Sequence, residues 1–174
     1  MAESIVIWGS GAIGGTIGAH LSRAGHDVLF VDLVPEHVAA IEAGRLAIEG
    51  PIASFTAGGR AVTPERITGR HKLIILAVKA HHTEAATRAL APHLAEDGAI
   101  VSCQNGLNEL VIAEIVGRER TIGAFVNFGA DYLEPAASST ACAARSWWAS
   151  STARARRASW RCTGCCRNSS PMRC

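Results

Sequence analysis

The chain has 174 residues, of which 48% are hydrophobic and 18% charged, with a formal net charge of +2. That suits one soluble domain with a short extension, and no run of about 18 apolar residues offers a membrane-spanning helix. The charge sums two unlike parts: residues 1–135 hold fifteen acidic and ten basic residues, net −5, and residues 136–174 hold seven arginines and no acid, net +7.

Met1–Glu3 lead straight into Ile5-Val6-Ile7-Trp8, without the basic start and longer apolar run of a signal peptide, so the cytoplasm is the expected compartment. Ile5–Trp8 reads as a strand buried on both faces. After a glycine turn, Ile13, Ile17 and Leu21 form the stripe of a helix packed on a sheet, closed at Gly25. Asp27–Val31 reads as the next strand, and Pro35 opens a helix through Ala43 that closes at Gly44. Residues 46–68 are short segments punctuated by Gly and Pro, suggesting a small hairpin region. Leu73–Val78 is a strand, Thr83–Leu90 a helix, Ala99–Ser102 a strand, Leu107–Val116 a helix and Thr121–Phe128 a last strand. Strands alternating with helices predict an α/β, Rossmann-type doubly wound parallel sheet. Residues 1–135 are the expected domain, and residues 136–174 an irregular Arg/Cys/Trp-rich tail.

Gly9-Ser10-Gly11-Ala12-Ile13-Gly14 fits G-x-G-x-x-G between a strand and a helix. The first glycine allows the tight turn, the second lets a pyrophosphate approach backbone, and the third lets the helix pack close. The helix start offers N–H groups and a positive dipole end to phosphates. Asp32 stands where a carboxylate accepts hydrogen bonds from adenosine ribose hydroxyls. It would repel a 2′-phosphate, and no arginine accompanies it in DLVPEH, which favours NAD. Asp32 also reads as a turn or N-cap residue before Pro35.

Three stretches resemble the ketopantoate reductase (2-dehydropantoate 2-reductase) family: VDLVPEHVAAIEAGRLAIEGP, LAVKAHHTEAATRALAPHLAEDGAIVSCQNGLNE and GRERTIGAFVNFGADYLEPA. The resemblance runs from about residue 4 to residue 135. It implies hydride transfer from a nicotinamide cofactor to the ketone of a small 2-keto acid, ketopantoate, in pantothenate biosynthesis. It implies cofactor contacts from Gly9, Ser10, Gly11, Ala12, Ile13 and Gly14, from Lys79 after a buried strand, and from Gly129. Asn105 is implied at the nicotinamide ribose or the substrate. Without the resemblance, Lys79 also reads as a solvated lysine and Asn105 as the turn residue of Asn-Gly. The family mostly uses NADP, against the lean from Asp32 towards NAD. Its general-acid lysine lies in a second, helical domain that this chain stops short of, so no catalytic residue is expected here, only cofactor binding. A reductase of another 2-keto acid, or a non-catalytic nucleotide-sensing module with a basic tail, are the competing readings.

His81 and His82 point to different sides of a helix start with no carboxylate to complete a metal site, so no metal is expected. Cys103 reads as a buried thiol. In the tail, Cys162, Cys165, Cys166 and Cys174 suggest zinc or disulfides, while Arg154, Arg156, Arg157 and Arg161 with Trp160 suggest nucleic acid. The first part gives no nucleic-acid signal, and nucleic acid is not the expected partner. The composition fits another origin: a GC-rich gene read out of frame beyond Pro135 gives Arg, Ala, Ser, Cys and Trp. Because tryptophan has one codon, the frame starting one base earlier must place valine at 148 and glycine at 149. With GC-rich codons it can read GRVVYGVRGAVVVGELDG from residue 136.

Overall fold

The structure, a computed structural model, describes residues 4–50, 53–134, 137–140 and 147–149. The chain begins β1 (Ile5–Trp8), α1 (Ala12–Arg23), β2 (Val28–Val31), α2 (Pro35–Glu42). Next come β3 (Leu46–Glu49), β4 (Phe55–Ala57), β5 (Arg60–Val62) and β6 (His71–Leu76). Then follow α3 (Thr83–Leu90), β7 (Leu94–Ser102), α4 (Asn108–Val116) and β8 (Thr121–Phe125). Three short strands complete the described chain: β9 (Ala130–Glu134), β10 (Ala137–Thr140) and β11 (Trp147–Ala149).

The main sheet runs β11-β8-β7-β6-β1-β2-β5, parallel throughout except for β11, which pairs antiparallel to β8. From β1 the chain steps outward through β2 to β5, then returns to the other side of β1 as β6. The order therefore reverses between β1 and β6, and ligands of doubly wound sheets collect at the carboxyl ends beside such a reversal.

The predicted strands form because alternate residues feed two separate cores. Ile5, Ile7, Val28 and Phe30 pack on one face with Ala19 of α1 and Val38 and Ile41 of α2. Val6, Trp8, Leu29 and Val31 pack on the other with Leu90 of α3 and Ile112 of α4. Strands buried on both faces need no polar alternation, which explains the unbroken apolar runs. α1 sits close to the sheet: a Cβ at Gly18 would lie 2.2 Å from Cε1 of Phe30.

Residues 46–68 contain the expected hairpin, β3 paired antiparallel to β4, in a second sheet ordered β4-β3-β10-β9. This sheet lies against α1, where the ring of His20 meets Phe55 edge-on at 4.9 Å. β5, from the same region, instead joins β2 in the main sheet. Thr121–Phe128 is not the last strand. β8 stops at Phe125, and β11 pairs along it from Phe125 to Gly123, covering backbone groups that an edge strand leaves open. β10 and β11 carry regular structure beyond residue 135. The cysteines and arginines singled out at 154–174 lie outside the described residues. Among the described residues no helix is long and apolar enough to cross a membrane.

Candidate functional site

β1 delivers Gly9 to the carboxyl edge at the reversal point. Gly9 has φ +91° and donates its N–H to the carbonyl of Val31 at 2.9 Å. A Cβ on Gly9 would lie 2.7 Å from Cγ1 and 2.9 Å from N of Val78, on the neighbouring connection. A Cβ on Gly14 would lie 1.9 Å from the backbone carbonyl oxygen of Gly9 and 3.1 Å from Cβ of Ala77, with no room to give. Gly11 differs, since a Cβ there would meet nothing within 4 Å. The protein's own packing thus demands glycine at the first and third positions of the motif but not at the second.

Above Gly11 the start of α1 has no side-chain cap and no acidic residue in its first turn. The first intrahelical bond runs from the N–H of Gly15 to the carbonyl of Gly11 at 2.7 Å. Helix geometry leaves the N–H groups of Ala12, Ile13 and Gly14 without intrahelical partners. They and the positive end of the dipole suit an anion.

Ser10 faces inward. Its N–H donates to Oδ2 of Asp32 at 2.8 Å, and its hydroxyl donates to the carbonyl of Val31 at 3.2 Å. Its carbonyl accepts from Nε2 of His37 at 2.7 Å. Ser10 therefore holds the turn through three contacts rather than presenting a free donor. Asp32 also accepts the N–H of Val34 through Oδ1 at 3.1 Å, the turn geometry its sequence position suggested. Two carboxylate contacts leave further lone pairs on a half-buried group. The ring of Tyr132, from β9, meets His37 edge-on at 5.5 Å. Partial burial and the nearby charge of Asp32 raise the phenol above its usual pKa. His37 is buried and Tyr132 comes from a strand that no sequence pattern announced; neither was foreseen as part of this site.

Lys79 follows β6 and is exposed, at the carboxyl end next to Gly9. Asn105 follows β7 on the next strand over, also exposed. It lines an open cleft of about 440 Å³ between α4 and the end of β8, with Leu107, Leu110, Phe125 and Arg118. The glycine turn and Lys79 do not line that cleft. Gly129 lies exposed between β8 and β9. A half-buried polar group joins the two turns: Gln104 donates through Nε2 to the carbonyl of Val78 and to Oγ1 of Thr83, both at 2.8 Å. Gln104 belongs to the Gln-Asn-Gly signature, but its spacing gave no hint of a partner 26 residues away. His81 and His82 sit in a short 3-10 turn with ring centroids 4.0 Å apart. Among the described residues no group of His, Cys, Asp and Glu could hold a metal ion. Cys103 is buried, and burial pushes its thiol up to about 12.

A parallel sheet ordered β5-β2-β1-β6-β7-β8, with a glycine turn between strand and helix at its reversal, defines a Rossmann-type α/β fold. The chain belongs to the ketopantoate reductase PanE/ApbA family, whose model matches residues 5–150. A 2-dehydropantoate 2-reductase from Pyrococcus abyssi is 38% identical over 129 residues, covering 72% of this chain and 40% of that protein. The crystal structure of 2-dehydropantoate 2-reductase from Geobacter metallireducens superposes with TM-score 0.79 at 29% identity, covering 88% of this chain and 51% of that one. D-mandelate dehydrogenase, in a ternary structure with NADH and anilino(oxo)acetate, superposes with TM-score 0.72 at 26% identity over 78% of this chain and 44% of that one. The chain spans between 32% and 42% of the length of the first curated relatives it matches.

Proposed function

We propose that this chain binds a nicotinamide dinucleotide, as the cofactor half of a reductase that converts ketopantoate to pantoate. The observation that carries the reading is the contrast within the glycine turn. Gly9 and Gly14 are fixed by contacts inside the protein, whereas Gly11 is open on the side of the uncapped helix start. A glycine with no internal reason to be one fits a backbone that a ligand must approach closely.

The bound dinucleotide would supply hydride to the carbonyl carbon of the keto acid. The backbone amides of Ala12, Ile13 and Gly14 would hold its pyrophosphate, and the ammonium of Lys79 would favour anionic groups beside them. Asp32, held by Ser10 and Val34, would accept hydrogen bonds from the adenosine ribose, favouring NAD over NADP. Asn105, donor and acceptor at the mouth of the cleft, would orient the nicotinamide ribose or the keto acid. Gly129 would offer backbone to the cofactor.

Titration of the purified chain with NADH and NADPH, followed by cofactor fluorescence, tests the reading. The expected result is saturable binding of NADH, tighter than NADPH. Absence of binding to both would refute it. With residues covering about 40% of a relative's length, the chain alone is expected to bind without ketopantoate-dependent NAD(P)H oxidation. A reductase of another 2-keto acid has one specific support. The cleft beside Asn105 is lined by Leu107, Leu110 and Phe125, which suits an apolar side group, and the D-mandelate dehydrogenase neighbour is solved with anilino(oxo)acetate. Substrate profiling in a full-length relative carrying this cleft separates the two.

A further inference from the structure

We infer that Gln104 and Thr83 are positioning residues that lock the turn carrying Lys79 and the turn carrying Asn105 into one unit. The inference rests on the reading of Lys79 and Asn105 as cofactor residues, but the lock itself is a property of the fold. Lys79 is bracketed by two held carbonyls. That of Val78 accepts from Nε2 of Gln104 at 2.8 Å, and that of Ala80 accepts from Oγ1 of Thr83 at 2.8 Å. Its own carbonyl accepts the N–H of His82 at 2.8 Å. Three successive carbonyls are thus fixed while the Lys79 side chain stays exposed.

The same side chains reach the other turn. The second Nε2 hydrogen of Gln104 goes to Oγ1 of Thr83 at 2.8 Å, and its Oε1 accepts from the hydroxyl of Ser102 at 3.3 Å. Both amide protons and the amide oxygen are therefore used, and the carbonyl of Val78, which can only accept, fixes which way the amide faces. The single hydroxyl proton of Thr83 serves either the carbonyl of Ala80 at 2.8 Å or Oδ1 of Asn108 at 3.2 Å, and Nδ2 of Asn108 donates to the carbonyl of Asn105 at 2.6 Å. Gln104 directly precedes Asn105 in the chain, so its two donated bonds tie the backbone beside Lys79, and Thr83, to the turn that carries Asn105. Thr83 and Ser102 are buried, so a broken link would leave polar groups without water to replace the lost partner. The two turns stand on adjacent strands, β6 and β7, and these bonds join them directly, beyond the strand ladder and the packing of α3 on α4.

The test uses near-isosteric changes that keep the packing. Gln104→Glu removes both N–H donors, and Thr83→Val removes the hydroxyl. Amide hydrogen exchange on the whole chain, with no cofactor present, reads the lock. Each variant is expected to speed exchange roughly tenfold in residues 78–83 and in 104–108 together, while β1 and β2 keep their protection. The double variant is expected to add little to either single one. Faster exchange confined to one turn, or additive effects in the double variant, would overturn the inference. NADH binding is the second readout, expected to weaken roughly tenfold in Gln104→Glu. Unchanged affinity in that variant would overturn the positioning role. A parent chain that binds neither dinucleotide would instead refute the proposed function, and exchange would still decide whether the turns form one unit.

Discussion

The backbone N–H of Ser10 donates to the carboxylate of Asp32 across 2.8 Å, joining the glycine turn after β1 to the end of β2. One side chain thereby shapes the turn and sets the charge at the place where an adenosine ribose would lie. The two roles can be separated. Asp32→Asn keeps an acceptor for Ser10 but removes the negative charge; Asp32→Ala removes both. Asp32→Asn is expected to raise affinity for NADPH relative to NADH by roughly tenfold, since about 1.4 kcal/mol of charge repulsion is a tenfold factor. Asp32→Ala is expected to weaken both dinucleotides and to lower stability by about 1–3 kcal/mol, the cost of losing hydrogen bonds to a charged group. Fluorescence titration and urea denaturation check the pair; an unchanged NADPH/NADH ratio in Asp32→Asn would remove Asp32 from cofactor choice.

The glycine turn supplies a matched pair of changes with opposite outcomes. Gly14→Ala would put a methyl 1.9 Å from the carbonyl oxygen of Gly9, and backbone cannot move aside without breaking the turn. It is expected to cost about 3 kcal/mol or more, seen as a lowered Tm or an insoluble chain. Gly11→Ala meets nothing within 4 Å, and Gly11 has φ −65°, which alanine adopts freely. Its stability is expected to match the parent or exceed it by about 0.4–1 kcal/mol, while dinucleotide binding falls at least tenfold. A Gly11→Ala chain that binds NADH as the parent does would show that no ligand approaches this backbone.

Much of this was legible in the sequence because it is local. IVIW and VLFV are buried on both faces, and the G-x-G-x-x-G spacing needs only a strand before it and a helix after it. What escaped depends on distant partners. His37 lies on a short helix where a histidine would ordinarily be placed outward. It is buried because Ser10, 27 residues earlier, offers it a carbonyl. Gln104 was visible as part of a signature, but its two acceptors come from another strand's connection. Three-residue strands such as RAV and WWA carry too little pattern to separate from loop, and only their pairing with β2 and β8 makes them strands. The hydrophobic run after Thr121 read as strand to Phe128, but pairing on both sides stops by Phe125.

The change of composition beyond residue 135 leads to a prediction about the gene. Read one base earlier, the coding sequence after Pro135 is expected to stay open to residue 174 and to give valine at 148 and glycine at 149. Repairing the frame should then extend the family match, which now ends at residue 150. DNA sequencing of the locus checks this. A stop codon in that frame before residue 174 would leave the arginine-rich tail as the intended product.

The burial of Cys103 has a pH consequence of definite sign. Burial among Ile7, Val101 and their neighbours disfavours the thiolate and pushes the thiol up to about 12, from an ordinary value of 9.0. Between those values the unfolded chain has lost the proton that the folded chain keeps. The unfolded state then binds fewer protons, so stability falls as pH rises. The contribution is fully present below about pH 8.5 and is lost progressively towards 12. Between pH 8 and 10 the parent is expected to lose about 1 kcal/mol more than Cys103→Ala does, measured as the difference in their urea midpoints. Comparing the two slopes cancels the other groups that titrate in this range. The same burial sets reactivity: at pH 8, iodoacetamide should label the Cys103 peptide of the urea-unfolded chain and leave that of the folded chain unmodified by mass spectrometry. Rapid labelling in the folded state, or parallel pH slopes for parent and variant, would mean that the thiol is reached by water and that the β7 end of the sheet opens more readily than its packing implies.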